Sequence, residues 1–293
     1  MYKFPFKALL SIMLSLLVFS ACNSVPAPPK KEFIEYLPPS FEELPEKIEA
    51  EDINSSRTET PPPKNTEIWD LSNVDISYID PSKKLIAFTF DDAPSRTLEN
   101  ILTVFASFNE MHPDCRATAT VFFNGGRCDN HSRPLLYTAA ALGFELGNHT
   151  HSHFDLTTLN EAEIELEISK TDELLFEIDH NPTHLLRAPF GKTNELVKSL
   201  SKTPIIDWTI DTLDWTGIDE NAIYEQVFSL KKNGSIVLMH DGYTATVSAL
   251  KRLLPDLADS GYQVVSVSAL AKAHNCTLRR GRTYIRARKQ GTN

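Results

Sequence analysis

Positive charge is in deficit along this chain: 29 lysines and arginines stand against 39 aspartates and glutamates, a formal net charge of −10. A surface so weighted repels a phosphate backbone, which excludes nucleic acid as the main partner. Long apolar runs are missing too. The longest, Ala8 to Ala21, falls short of the roughly 20 residues that cross a bilayer. Glycine is scarce, 11 of 293 residues, which excludes a glycine-rich low-complexity chain. No segment repeats, which excludes a solenoid. Only four cysteines occur, at 22, 115, 128 and 276. Cys115 and Cys128 flank the run Ala117 to Phe123, which as a strand climbs about 3.3 Å per residue. The five residues after it barely return the chain to bridging distance, so no disulfide is expected there.

What is present begins with the N-terminus. Lys3 and Lys7 precede the apolar stretch, which ends in Phe19-Ser20-Ala21-Cys22. This layout fits a signal peptide over residues 1–22. A small-residue pair before a cysteine resembles a bacterial lipobox, although Phe19 is unusual at its place in that motif. The expectation is an exported cell-envelope protein, lipidated at Cys22 and so held to a membrane. Residues 23–67 hold nine of the eighteen prolines, with many glutamates, and read as an extended tether.

From Trp69 onward short apolar runs alternate with helical patterns. The runs are Leu85–Phe90, Ala117–Phe123, Phe144–Gly147, His184–Leu186, Ile205–Ile210, Ser235–His240 and Gln263–Val267. Several lack two-fold alternation, as strands covered on both faces do. Apolar stripes mark the helices: Leu98, Ile101, Leu102, Phe105 and Phe108; then Ile164, Ile168, Leu175 and Ile178; then Ile223, Val227 and Leu230; then Val247, Leu250, Leu254 and Leu257. Asn160 with Glu163 marks the start of the second. The pattern predicts an α/β fold, a distorted parallel (β/α) barrel of about seven strands, as one catalytic domain over 68–275. A basic C-terminal tail, 276–293, follows as a solvated end.

Polar residues gather where these strands end. Asp91 and Asp92 follow the first, His149 the third, Arg187 the fourth and Asp211 the fifth; His240 closes the sixth. That is the face on which such barrels carry their chemistry. His149 and His153 are four apart and on a turn can grip one metal ion; His151 has no assigned role. If the strand continues through Asp91 and Asp92, they point opposite ways, so one can bind metal while the other acts as a base. Histidines 112, 131, 180, 184 and 274 belong to no pattern.

Five short stretches, taken in order, resemble the motifs of the polysaccharide deacetylases, the NodB-homology domains of carbohydrate esterase family 4. They are Thr89-Phe90-Asp91-Asp92-Ala93-Pro94, His149-Thr150-His151-Ser152-His153, Arg187-Ala188-Pro189-Phe190-Gly191, Asp211-Thr212-Leu213-Asp214-Trp215 and Leu238-Met239-His240. The resemblance covers about residues 84 to 270. It implies that Asp92, His149 and His153 hold one divalent metal ion, zinc in most cases, with cobalt, manganese or nickel as alternatives. It further implies that Asp91 is the general base and that Arg187 holds it. The Phe190 backbone N–H would stabilise an oxyanion. His240 would be the general acid, oriented by Asp211, and Trp215 and Leu238 would wall the slot for the acetyl methyl. Two positions depart from the pattern: Ala93 stands for the usual glycine and Phe190 for the usual tyrosine.

The activity so implied is removal of N-acetyl groups from an N-acetylglucosamine-containing glycan such as peptidoglycan. O-acetyl ester hydrolysis on xylan-type glycans uses the same chemistry. A non-catalytic glycan-binding lipoprotein is a third reading, disfavoured because Asp91, Asp92, His149, His153 and His240 are all present. Amidohydrolase barrels also use His-x-His, but after their first strand and with a late acidic base, an order this chain does not follow.

Overall fold

The apolar run Leu85–Phe90 forms the middle of β1 (Lys84–Ala93) in the computed structural model, which describes residues 67–287. Every residue from Leu85 to Asp91 is buried, with no in–out alternation, as a parallel strand covered on both faces requires. β2 (Thr120–Phe123) and β6 (Ser235–His240) flank it in parallel, and β7 (Tyr262–Val265) pairs with its first half. β3 (Glu145–Asn148) lies beyond β2, and β5 (Ile210–Asp211) beyond β6. The order is therefore β3-β2-β1-β6-β5. β4 (Ile205–Ile206) pairs in parallel with β8 (Thr283–Tyr284). Single parallel bridges, Asn148 to Leu186 and Leu186 to Ile205, carry the ladder from β3 round to β4.

This is the expected α/β arrangement, but two of the expected strands are thinner. His184–Leu186 contributes one bridge, and Ile205–Ile210 splits into two-residue pieces. The reason lies in the carbonyls of this stretch. Those of Ile206 and Asp207 accept from Arg187 Nε at 2.9 Å and Nη2 at 3.3 Å, so a buried guanidinium takes bonds that a longer strand would use.

The helices are α1 (Leu98–Met111), α2 (Arg133–Ala141), α3 (Glu161–Asp179), α4 (Glu195–Leu200), α5 (Glu220–Leu230), α6 (Thr244–Asp259) and α7 (Val267–Ala273). α3 starts where expected: Asn160 Oδ1 accepts from the Glu163 N–H, and the Glu163 carboxylate accepts from the Asn160 N–H. The stripes of α1 and α6 are buried against the sheet with Phe88, Phe90 and Val237. Phe105 meets Phe90 and Phe144 edge-to-face, at 6.1 and 4.9 Å between centroids. Each such side chain contributes roughly 1.5–3 kcal/mol by leaving water.

The stretch after residue 275, expected as a free end, is packed as far as Ala287. Leu278 and Ala287 are buried, and β8 completes the edge of β4. Cys115, Cys128 and Cys276 are free thiols, as expected for the first two. Cys22, the signal segment and the tether lie outside the described residues.

Candidate active site

Asp91, Asp92, His149, His153, Phe190, Trp208, Asp211, Trp215, Leu238 and His240 line one cavity of about 450 Å³ at the C-terminal ends of the strands. Nine of these ten were expected from the sequence; Trp208 was not. Arg187 lies behind the wall. A larger cleft, about 700 Å³, lies between α3 and Leu200 and holds none of the residues singled out for chemistry.

Both carboxylates reach this cavity, so they do not point opposite ways. The register of β1 against β2 breaks between Phe90 and Ala93, and Asp92 adopts a left-handed φ of 66°. The irregularity swings Asp92 back to the face that Asp91 occupies. Thr150, His153, Phe190 and Leu213 also have positive φ. Strain of this kind collects at functional sites.

Asp92 Oδ1 lies 3.4 Å from His153 Nε2 and 3.9 Å from His149 Nε2. It is buried without a hydrogen-bond partner among the described residues, a costly condition unless a cation satisfies it. His149 Nδ1 donates to the Arg187 carbonyl at 2.8 Å, so Nε2 is the ring nitrogen that faces the carboxylates. Burial, helped by the neighbouring His149, holds the His153 imidazole below its ordinary value against the pull of Asp92, which favours its neutral form. One carboxylate and two imidazoles, all within 4.8 Å, suit zinc or a similar dication. When bound, such an ion supplies Lewis-acid polarisation of an acyl group and of water. His151 turns away from the site; its backbone N–H donates to the Glu167 carbonyl on α3.

Asp91 Oδ1 accepts from Arg187 Nη1 at 2.7 Å. Burial alone would raise the Asp91 carboxyl, but Arg187, with His149 and His240, outweighs burial and holds it below the ordinary range. It is therefore ionised and able to take a proton. Arg187 is fully buried, 4.3 Å over the Phe122 ring, and donates as well to Thr89 Oγ1 at 2.6 Å.

His240 is oriented by Asp214, not Asp211. Asp214 Oδ1 lies 2.8 Å from His240 Nδ1, and its Oδ2 accepts from the His240 N–H and from Thr246 Oγ1. Asp211 ends β5 and caps the next turn, its Oδ1 accepting from the Leu213 N–H at 2.9 Å. Left-handed Leu213 then swings the chain so that Asp214 is buried beneath His240. Strand-end position pointed to the first acid, whereas the one that holds His240 lies a turn later. Burial would lower the His240 imidazole, but Asp214 and the Asp91 charge outweigh it and raise it. The pairing with Asp214 thus favours the protonated imidazole. Phe190 sits on the opposite wall, edge-on to His153 at 4.8 Å. Behind it Gly191, at φ +64°, leaves no room for a Cβ, which would come within 2.9 Å of Trp208.

Comparison with known proteins agrees with this geometry. The family model described as "Polysaccharide deacetylase" matches residues 78–205. A peptidoglycan-N-acetylglucosamine deacetylase of Bacillus cereus is 30% identical over 70% of this chain and 92% of its own length. The chain belongs to the polysaccharide deacetylase family. The peptidoglycan-N-acetylmuramic acid deacetylase PdaC of Bacillus subtilis is 32% identical over 66% of this chain and 40% of that protein. Its solved structure matches with a TM-score of 0.62 at 31% identity, covering 67% of this chain and 94% of the solved one. A bifunctional xylanase/deacetylase of Pseudobutyrivibrio xylanivorans is 29% identical over 64% of this chain and 31% of that protein. The chain thus spans under half the length of PdaC and of the xylanase/deacetylase.

Proposed function

We propose that this protein is a metal-dependent deacetylase that removes N-acetyl groups from an N-acetylglucosamine-containing glycan of the peptidoglycan type. The observation that carries this is a carboxylate and an imidazole, each held by a buried charged partner, in one cavity. Asp91 is fixed by Arg187, and His240 by Asp214. Hydrolysis of an amide needs both: a base to take a proton from water and an acid to give one to the leaving nitrogen. Asp92, His149 and His153 would hold the divalent ion, zinc in the first instance. The Phe190 backbone N–H would donate to the developing oxyanion, and Trp215 and Leu238 would enclose the acetyl methyl. The relatives named for peptidoglycan support the substrate class, and the xylanase/deacetylase keeps O-acetyl xylan as the second reading.

The test is acetate release by the full chain, with and without a chelator, from N-acetylated glycan strands and from acetylated xylan. Release from the first, lost on chelation and restored by zinc, is the expected result. Faster release from xylan would move the assignment to O-acetyl esters, and release from neither would make the protein a non-catalytic binder. Lipidation of Cys22, with residues 23–67 as tether, would place the enzyme within reach of the cell wall. A fatty-acid label lost in Cys22→Ser is the expected outcome, and unlabelled protein free in the medium would refute the anchor.

A further inference from the structure

β2 leads into a short turn, Gly125–Arg127, whose donors hold both loops of the site. The Asn124 N–H donates to the Ala93 carbonyl, and its side-chain amide to the His149 carbonyl, each at 2.7 Å. Gly125 and Gly126 donate to the carbonyls of Thr150 and His151. Arg127 ends the turn, and its Nη1 donates to the Asp92 carbonyl at 2.8 Å. The Asp92 carboxylate is 4.0 Å from that nitrogen, too long for a hydrogen bond, and faces the histidines. One arm of the guanidinium is therefore pinned beside the site. Nε and Nη2 have no protein acceptor among the described residues, and about half of the side chain, 49%, is exposed.

Tyr243 flanks the cavity at His240, its ring edge-on to the imidazole, 6.2 Å away. Burial raises its phenol, Asp214 and Asp92 add to the effect, and the Arg127 charge opposes them. Three aromatic residues, Phe190, Trp208 and Trp215, line the cavity. Lys192, 5.7 Å from the Phe190 ring centroid, is committed to Asp155 at 2.8 Å. The site thus offers aromatic rings that suit the apolar face of a sugar and, next to Asp92, an open cationic fork.

We propose that Arg127, beside Asp92, is a subsite for a carboxylate carried by the N-acetylated sugar, which makes an acidic N-acetylhexosamine the preferred substrate unit. A planar guanidinium anchored by one nitrogen offers its remaining edge in the geometry that a carboxylate accepts. The Asp92 carboxylate, turned toward the metal ligands, does not compete for that edge. This inference deepens the glycan deacetylase reading and rests on it.

The test compares two probes in the full chain: a disaccharide of N-acetylglucosamine and N-acetylmuramic acid, and the same compound with its carboxylate methyl-esterified. Wild type should show a kcat/KM about tenfold higher for the free acid, as for a partly exposed charge-assisted contact. The preference should weaken as salt is raised. In Arg127→Gln the acid-to-ester ratio should fall to near one, whatever the effect on both rates, and Arg127→Lys should lie between. A ratio near one in wild type, or one unchanged in Arg127→Gln, overturns the proposal. If wild type hydrolyses neither probe, the deacetylase reading fails, and calorimetric titration of the same probes decides this one. Tighter binding of the acid, lost in Arg127→Gln, supports the subsite; equal binding of acid and ester refutes it.

Discussion

Asp211 and Asp214 are three positions apart in one motif, and only one of them touches His240. Asp214 holds His240 at Nδ1 and at its backbone, whereas Asp211 caps a turn. An amide needs a protonated leaving nitrogen, while an activated aryl acetate departs unaided. His240→Ala should therefore lower N-deacetylation by about two to four orders of magnitude and aryl acetate cleavage far less. Asp214→Asn should share that selectivity in milder form, and Asp211→Asn should cost stability without it. Equal slowing of both substrates in His240→Ala would remove His240 as the acid. A second contrast separates the adjacent carboxylates. Asp91→Asn should keep metal binding and lose turnover, and Asp92→Asn should lose both; metal titration of the two variants decides it. Most of these residues were legible in the sequence because each closes a strand at one end of a parallel sheet. Asp214 was not, because it reaches the site through left-handed Leu213, a conformation that sequence spacing does not announce.

At the scale of elements, α3 is what holds the histidine loop. The Glu167 backbone carbonyl and carboxylate accept from the backbone N–H groups of His151 and Ser152, and the Ile168 carbonyl and Asp172 accept from the Asn148 side chain. The helix was legible from its capping box, but its bracing role was not. Its buried face includes Glu167, Thr171 and Asp172, which read as a solvated side when only apolar periodicity is counted. His184, which fits no sequence pattern, is buried between Asp172 and Asp179 at 2.9 and 3.2 Å. Burial alone would lower its imidazole, but the two aspartates outweigh it and raise it to about 9 from 6.5. A folded-state value above the unfolded one stabilises fully below pH 6.5 and loses that stabilisation as pH rises through 9. The shift corresponds to about 3 kcal/mol. Denaturant unfolding at pH 6 and pH 9.5 should show wild type losing about that much more than His184→Gln. Parallel pH dependence in the two proteins would show that the pair contributes nothing.

At the scale of the molecule, the boundary expected at residue 275 fails for a physical reason. Basic residues at a chain end read as a solvated tail, yet here they alternate with apolar ones that pack. Leu278 and Ala287 are buried, and Tyr284 packs on a cluster of buried apolar side chains that includes Leu185, Ile206 and Val265. The backbone of this segment serves the site side of the sheet: the carbonyls of Arg282 and Tyr284 accept from the N–H groups of Ile205 and Asp207, at 2.9 and 2.8 Å. This stretch leads directly to Trp208, and its Ile206 and Asp207 carbonyls hold Arg187. Deleting residues 276–293 should remove one large buried side chain, at roughly 1.5–3 kcal/mol, and several backbone hydrogen bonds, each near 1 kcal/mol. A loss of about 3–5 kcal/mol is a large part of ordinary domain stability and lowers Tm by roughly 10–15 °C at this size. The deletion should also loosen Arg187, so that at a temperature where the protein is still folded its turnover falls more than its metal affinity. A truncated protein that melts with wild type would mean that β8 is an ornament on the sheet rather than the strand that closes its edge behind Arg187.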